Sequence, residues 1–232
     1  QALAVIHKPT ITCLRISDFN TSGLVGSREE YNSPWCNLTK SSGASDKSGS
    51  HGGSFGIGKF APYACSALRT VFYSTSDKDG VCASQGVSRL TSFKNKKNEI
   101  TQGTGFYGND KNSPMYKQYS LDPAYSRSAD NSGTDIFIVA FNGDSGWQHQ
   151  MVASVLDGFL YAIYNETLVV DVDGTVICKD SLADLMISHK EYFNEHADEY
   201  YQTLTDENVA RTFTKEFTDD SEIIGKLTLK LM

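Results

Sequence analysis

An α+β sandwich, a mostly antiparallel sheet with helices on one face, is the fold this sequence predicts. Three observations lead there: strand-like runs joined by short turns fill most of residues 11–141, a glycine-opened helix interrupts them, and helical patterns follow. With 232 residues and 39% hydrophobic content, the chain is long and apolar enough to bury a substantial core.

Residues 11–16 are β-rich and end in the turn formers Ser17-Asp18-Phe19-Asn20-Thr21-Ser22-Gly23, so a strand delivers Asp18 to its own tip. Residues 25–53 are polar and rich in glycine and serine, which predicts a mobile loop. Residues 58–68 read as a short helix, with Pro62 tolerable in its first turn. Strands are expected at 69–76 and 81–93, paired through the hairpin turn Asp77-Lys78-Asp79-Gly80. Residues 94–131, interrupted by Pro114 and Pro123, predict a surface excursion. The most strand-like segment is 133–141, which should be central.

An amphipathic helix is expected over 147–164, where Met151, Val155, Phe159 and Ile163 recur every four residues beside Val152, Leu156 and Leu160. Asp173-Gly174 marks a second hairpin, and residues 181–188 and 190–217 read as mostly helical and acidic. Residues 223–232 alternate like a strand with no turn after them, the pattern of a first strand in a following domain. The expected organisation is an α+β domain over 1–146, an extension of helix, β-hairpin and acidic helical segments over 147–220, and the first strand of a truncated following domain at 221–232.

The formal net charge of −7 and a pI near 5.2 argue against a basic face that would wrap duplex DNA, so nucleic acid is not an expected partner. Five cysteines without a C-x-x-C pair suit a reducing cytosol, and no apolar run approaches the roughly 20 residues needed to span a bilayer. A cytoplasmic protein without a membrane partner is therefore expected. His189 and His196 lie among carboxylates without H-E-x-x-H spacing, His149 is isolated in sequence, and no metal site is assigned.

The sharpest chemical signal is Gly53-Ser54-Phe55-Gly56-Ile57-Gly58. A G-x-x-G-x-G run that opens a helix leaves backbone N–H groups unobstructed at the helix's positive end, where a polyphosphate is held without a dedicated cation. A Walker loop is excluded because Phe60, not a hydroxyl residue, follows Lys59. A Rossmann fingerprint is excluded because the glycine order is reversed and no strand precedes it.

The succession of Asp18 at a strand end, Gly23 closing its turn, the glycine box and Gly133-Thr134 on a late strand resembles the GHKL ATPases, the superfamily of gyrase, MutL, heat-shock chaperones and histidine kinases. The resemblance spans about residues 11–141 and implies the two-layer Bergerat-type ATP-binding fold. It implies that Asp18 accepts a hydrogen bond from the adenine amino group and that Thr134 stands nearby. The box Gly53, Ser54, Phe55, Gly56, Ile57 and Gly58 would close over the triphosphate, with Lys59 as a point charge on a phosphate oxygen.

ATP with Mg²⁺ is the implied cofactor, ATP and ADP the partners, and homodimerisation of the intact protein the implied consequence. The family's D-x-G-x-G turn is altered, since Asn20 stands near the place of its middle glycine; Asn tolerates the left-handed conformation. Residues 1–17 contain neither Glu nor Asn, so the family's water-activating Glu and Mg²⁺-binding Asn are expected upstream and no catalytic residue is assigned. A nucleotide-gated conformational switch is the first functional expectation; a histidine-kinase-like phosphotransferase domain and a non-catalytic nucleotide sensor are the alternatives.

Overall fold

The structure, a computed structural model, describes residues 2–41, 58–119, 126–128, 130–193, 196–208, 210–219 and 222–231. The glycine box residues Gly53, Ser54, Phe55, Gly56 and Ile57 lie outside them. The chain divides into two compact units, Gln1–Asn142 and Gly143–Met232.

The first unit is built on a five-stranded, wholly antiparallel sheet in the order β1-β5-β2-β3-β4, with β1 Cys13–Ser17, β2 Thr70–Ser76, β3 Cys82–Arg89, β4 Thr104–Tyr107 and β5 Gly133–Val139. The mixed α+β class and the antiparallel sheet are as the sequence predicts. β5 pairs with β1 on one side and β2 on the other, so most of its residues are buried, Asp135 among them. The β2–β3 turn is fixed by Asp77, whose carboxylate accepts from the amides of Asp79 at 3.0 Å and Val81 at 2.8 Å.

Register sorts the side chains into two faces. Ile136, Ile138, Val71, Tyr73, Val87 and Ala83 alternate onto one face, and Trp35, Cys36 and Tyr63 cover them. Trp35 and Cys36 belong to a helix, α2 Pro34–Thr39, inside the segment read from sequence as a loop. That expectation is corrected: Ser33 caps the helix by accepting from the Cys36 amide at 3.2 Å, Pro34 begins it, and burial of Trp35 to 0% exposure anchors it. Tyr63 comes from α3 Ala61–Ala64, which a single 3-10 turn, Gly58–Phe60, precedes.

The other face carries Phe72 and Phe137, on which Tyr119 packs, stacked on the first at 4.6 Å and edge-on to the second at 5.7 Å. Residues 94–131 are thus not only a surface excursion. They supply β4 and the aromatic cover of this face, because Tyr107 and Tyr119 find apolar surface there. A short helix, α1 Ala2–Ile6, precedes β1 and buries no residue.

In the second unit α4, Trp147–Tyr164, packs on the hairpin β6 Val170–Val172 and β7 Thr175–Ile177 and on α5 Leu182–Ser188 and α6 Ala197–Thr205. The buried stripe of α4 runs through Val152, Leu156, Leu160 and Ile163, while Phe159 is 54% exposed. Steps of four, four and three follow the 3.6-residue turn, whereas strict spacing by four drifts off the core face. Asp173 and Gly174 both adopt positive φ, as the predicted two-residue hairpin turn requires.

The helical reading of 190–217 is corrected at its end. Residues from Arg211 on form β8 Arg211–Asp219, paired with β9 Glu222–Leu231, because Thr212, Phe213, Thr214 and Phe217 favour a pleated ribbon over a helix.

Leu156 is fully buried among Val152, Leu160, Ile177 and Leu182. Leu156→Ala is expected to destabilise the second unit by about 3 kcal/mol, measured as a lowered urea midpoint by far-ultraviolet circular dichroism.

Candidate functional site

Asp18 stands one residue beyond β1, where the strand ends beside the start of β5. Its main chain is tied to Thr134 in both directions of the site: the Asp18 amide donates to the Thr134 carbonyl at 3.0 Å, and the Thr134 amide donates to Asp18 Oδ1 at 3.0 Å. Thr21 Oγ1 donates to the same Oδ1 at 2.5 Å and accepts from the Gly23 amide at 3.2 Å. One carboxylate oxygen is therefore saturated by the protein. Oδ2 has no hydrogen-bond partner among the described residues, and the side chain is exposed. A fixed carboxylate with one open acceptor suits an amino-group donor.

The turn that carries Asp18 is held by backbone sterics. Asn20 adopts φ of +58°, the left-handed conformation expected of it in place of a glycine. Gly23 has φ of +61°, and a Cβ there would lie 2.6 Å from the Ser76 carbonyl oxygen, so only glycine lets the turn lie against the end of β2. Beyond it the Leu24 amide donates to Thr75 Oγ1 at 2.8 Å, the Lys78 amide donates to the Ser22 carbonyl at 2.9 Å, and Ser132 Oγ donates to the Thr21 carbonyl at 2.6 Å. Asp18, Asn20, Gly23 and Thr134 are thus brought together.

Beneath Asp18 lies a cluster that sequence reasoning missed. Asp135, buried on β5, accepts from Arg127 Nε at 2.7 Å and Nη2 at 3.0 Å, from Arg15 Nη2 at 2.8 Å and Nε at 3.0 Å, and from Ser17 Oγ at 2.5 Å. Arg15, Ser17 and Asp135 share one face because Arg15 pairs with Phe137 and Ser17 with Asp135 across β1 and β5. A polar residue inside the strongly apolar 133–141 run was the one signal available, since buried charges are found paired. Arg127 sits in a polar stretch and gives no comparable signal.

Gly58 and Lys59 lie in the 3-10 turn before α3. Lys59 Nζ donates to the Asn37 carbonyl of α2 at 2.7 Å and stands 5.8 Å from the Phe60 ring. The guanidinium of Arg89, at the end of β3, lies 4.7 Å from Phe60 and 5.2 Å from Tyr63, and its Nε and Nη2 are buried without a hydrogen-bond partner among the described residues. Burial, with the Arg89 charge second, holds the Lys59 ammonium below its ordinary pKa. The Tyr73 hydroxyl donates to the Tyr63 hydroxyl at 3.1 Å, and Tyr73 lies two residues before Thr75, the strand partner of Thr134. Lys59 and Arg89 therefore share with Thr134 the helix-covered face of one sheet, two cations at one end and the Asp18 turn at the other. The glycine box expected between the two ends falls outside the described residues.

In the second unit His149, isolated in sequence, meets His189: Nδ1 and Nε2 are 3.2 Å apart, and Tyr192 stacks on His149 at 5.4 Å. Among the described residues no group of three or more His, Cys, Asp or Glu side chains is placed to hold a metal ion. A cavity of about 460 Å³ in that unit is walled by Tyr161, Tyr164, Tyr200 and Leu204 and contains none of the candidate binding residues read from the sequence.

Burial by itself would raise the Asp135 pKa, but hydrogen bonds from Arg127, Ser17 and Arg15, with the Arg127 charge, hold it below the ordinary carboxylate value. A depressed pKa in the folded state contributes stability that is complete above the unfolded aspartate value of about 3.9 and lost as pH falls through the lower folded value. Asp135→Asn is expected to cost about 3 kcal/mol near neutral pH by leaving two arginines short of their anion. In urea denaturation the gap between wild type and variant should narrow as pH is lowered from about 6 to about 3; an unchanged gap contradicts this account of Asp135.

Comparison of the chain with protein-family profiles, with curated proteins and with solved structures finds no match.

Proposed function

We propose that this chain is an adenine-nucleotide-binding domain of GHKL type with a Bergerat-type fold, and that in the intact protein ATP binding works a conformational and dimerisation switch. The observation that carries the reading is the state of Asp18. Its Oδ1 is locked by Thr134 and Thr21, its Oδ2 is open, and it sits at a strand tip beside Thr134. An acceptor held in that way discriminates adenine, which offers an amine at its position 6, from guanine, which offers a carbonyl there.

Lys59 and Arg89, on the same sheet face, supply positive charge for a phosphate chain running from the base. The box Gly53, Ser54, Phe55, Gly56, Ile57 would contribute backbone amides to it and close as nucleotide binds, which is the gating step of the switch. Bound ATP would bring Mg²⁺ as counter-ion to its phosphates; the residues named here bind and orient the nucleotide, and none is assigned to hydrolysis. Cytoplasmic location and self-association of the intact protein belong to the same proposal. No helix among the described residues is long and apolar enough to cross a membrane.

Calorimetric titration of ATP, ADP and GTP into the wild-type chain and Asp18→Asn tests the reading. Asparagine keeps an oxygen for Thr134 and Thr21 but replaces the open acceptor's charge. Saturable binding of ATP and ADP, weaker binding of GTP, and a roughly tenfold or greater loss of ATP affinity in the variant are expected. GTP binding as tightly as ATP, or the absence of saturable heat with any nucleotide, overturns it.

A further inference from the structure

Arg127 reaches the Asp18 turn from 109 residues away in sequence, and it does so with one guanidinium edge. Nη2 donates to three oxygens: the Asp18 carbonyl at 2.6 Å, the Thr134 carbonyl at 3.0 Å and Asp135 Oδ1 at 3.0 Å, while Nε donates to Asp135 Oδ2 at 2.7 Å. The arginine's own backbone is gripped on both sides by the Gln118 amide, which accepts from the Arg127 N–H at 3.0 Å and donates to its carbonyl at 3.1 Å. Phe19, the residue after Asp18, lies over the guanidinium with 4.6 Å between the charge centre and the ring.

Gly133 completes the arrangement. It has φ of +155°, and a Cβ on it would come within 2.2 Å of the Asp18 carbonyl oxygen and 2.5 Å of Arg127 Nη1. The bare glycine is what lets Arg127 and Asp18 meet. Nη1 itself is buried and has no hydrogen-bond partner among the described residues, an unfavourable state for a charged donor. A group that only filled this space would be better apolar. What distinguishes arginine here is the planar fork that spans two strand ends and a carboxylate at once.

We propose that Arg127 is the positioning residue of the base-reading site: by tying the Asp18 and Thr134 carbonyls to the buried Asp135, it fixes the direction of the Asp18 carboxylate and thereby sets adenine over guanine selectivity. This inference rests on the nucleotide-binding reading above and adds to it a residue that touches no ligand. Asp18 Oδ1 accepts from the Thr134 amide, and the carbonyls of these same two residues are the ones that Nη2 joins. Loosening that clamp lets the tips of β1 and β5 part, and Oδ2 no longer faces one direction.

The experiment compares wild type, Arg127→Lys and Arg127→Met by titration with ATP and GTP, with thermal unfolding of each variant as a check on folding. Lysine preserves the charge but, as a point donor, does not span three acceptors. Arg127→Lys is expected to stay folded, to lose roughly tenfold or more in ATP affinity, and to bring the ATP-to-GTP affinity ratio down toward one. A residue serving stability alone would lower the melting temperature and leave that ratio where it was. Wild-type selectivity retained in Arg127→Lys overturns the proposal, whether or not Arg127→Met folds. Adenine-selective wild-type binding with an unaltered Arg127→Lys rejects only the positioning role, whereas a wild-type chain that binds neither nucleotide rejects the underlying reading and this one together.

Discussion

A buried aspartate between two arginines is the constraint around which the candidate site is arranged. Asp135 is almost out of contact with water, as is Arg127, so neither charge is tolerable without the other. Their mutual satisfaction costs the chain freedom in three places at once. β1 must present Arg15 and Ser17 on the face where β5 presents Asp135, residues 126–128 must come back to the sheet, and the strand ends must stay close enough for Nη2 to reach both carbonyls. Slipping β1 by one residue against β5 would turn Arg15 and Ser17 to the opposite face, which makes the pair a lock on register as well as a source of stability.

That lock explains why a carboxylate in an exposed turn has a defined orientation. Asp18 lies outside the strands, and an exposed aspartate on a free loop would sample many rotamers. Here its neighbours on both sides are committed. Gly23 is pressed on the Ser76 carbonyl, Thr21 is held by Ser132 and returns a hydrogen bond to Oδ1, and the Thr134 amide takes the same oxygen. The binding chemistry proposed for Oδ2 depends on this division of labour between the two oxygens. The protein satisfies one and leaves the other.

The sheet also gives the site its direction. Its two faces differ in kind: one is covered by Trp35, Cys36 and Tyr63, the other by Tyr119 and the Arg127 cluster. Thr134 points to the first face and Asp135, its neighbour in the chain, to the second, because side chains alternate along a strand. A ligand lying on the helix-covered face toward Lys59 and Arg89 would thus meet Thr134, while the charges that brace Asp18 stay on the reverse side. Separation of contact and support onto opposite faces of β5 accounts for how a strongly charged network can sit next to the proposed base-reading carboxylate without competing for it.

Strands β1, β2, β3 and β5, the hairpins at Asp77–Gly80 and Asp173-Gly174, and the long helix Trp147–Tyr164 were legible in the sequence because each is a local pattern: alternation, turn chemistry or 3.6-residue periodicity. The local settings of Asp18, Asn20, Gly23 and Thr134, a turn at a strand end and the start of an apolar strand, were legible as well, while their selection as candidate binding residues came from the family resemblance. The α2 helix was not, because six residues in a polar stretch owe their helicity to the burial of Trp35, a long-range contact. Nor was β8, where β-branched and aromatic residues in an acidic context outweighed the helical pattern once β9 was present to pair with them. Arg127, Arg15 and Ser17 around Asp135 belong wholly to the tertiary structure: the separations in sequence are 8, 120 and 118 residues, and a buried charge identifies its partners only when the fold brings them within hydrogen-bond reach. The sequence by itself determined the central strands and the tight turns, while α2, β8 and the identity of the groups that hold Asp18 in place were decided by packing, because burial, strand pairing and pairing of charge are properties of three-dimensional neighbourhoods.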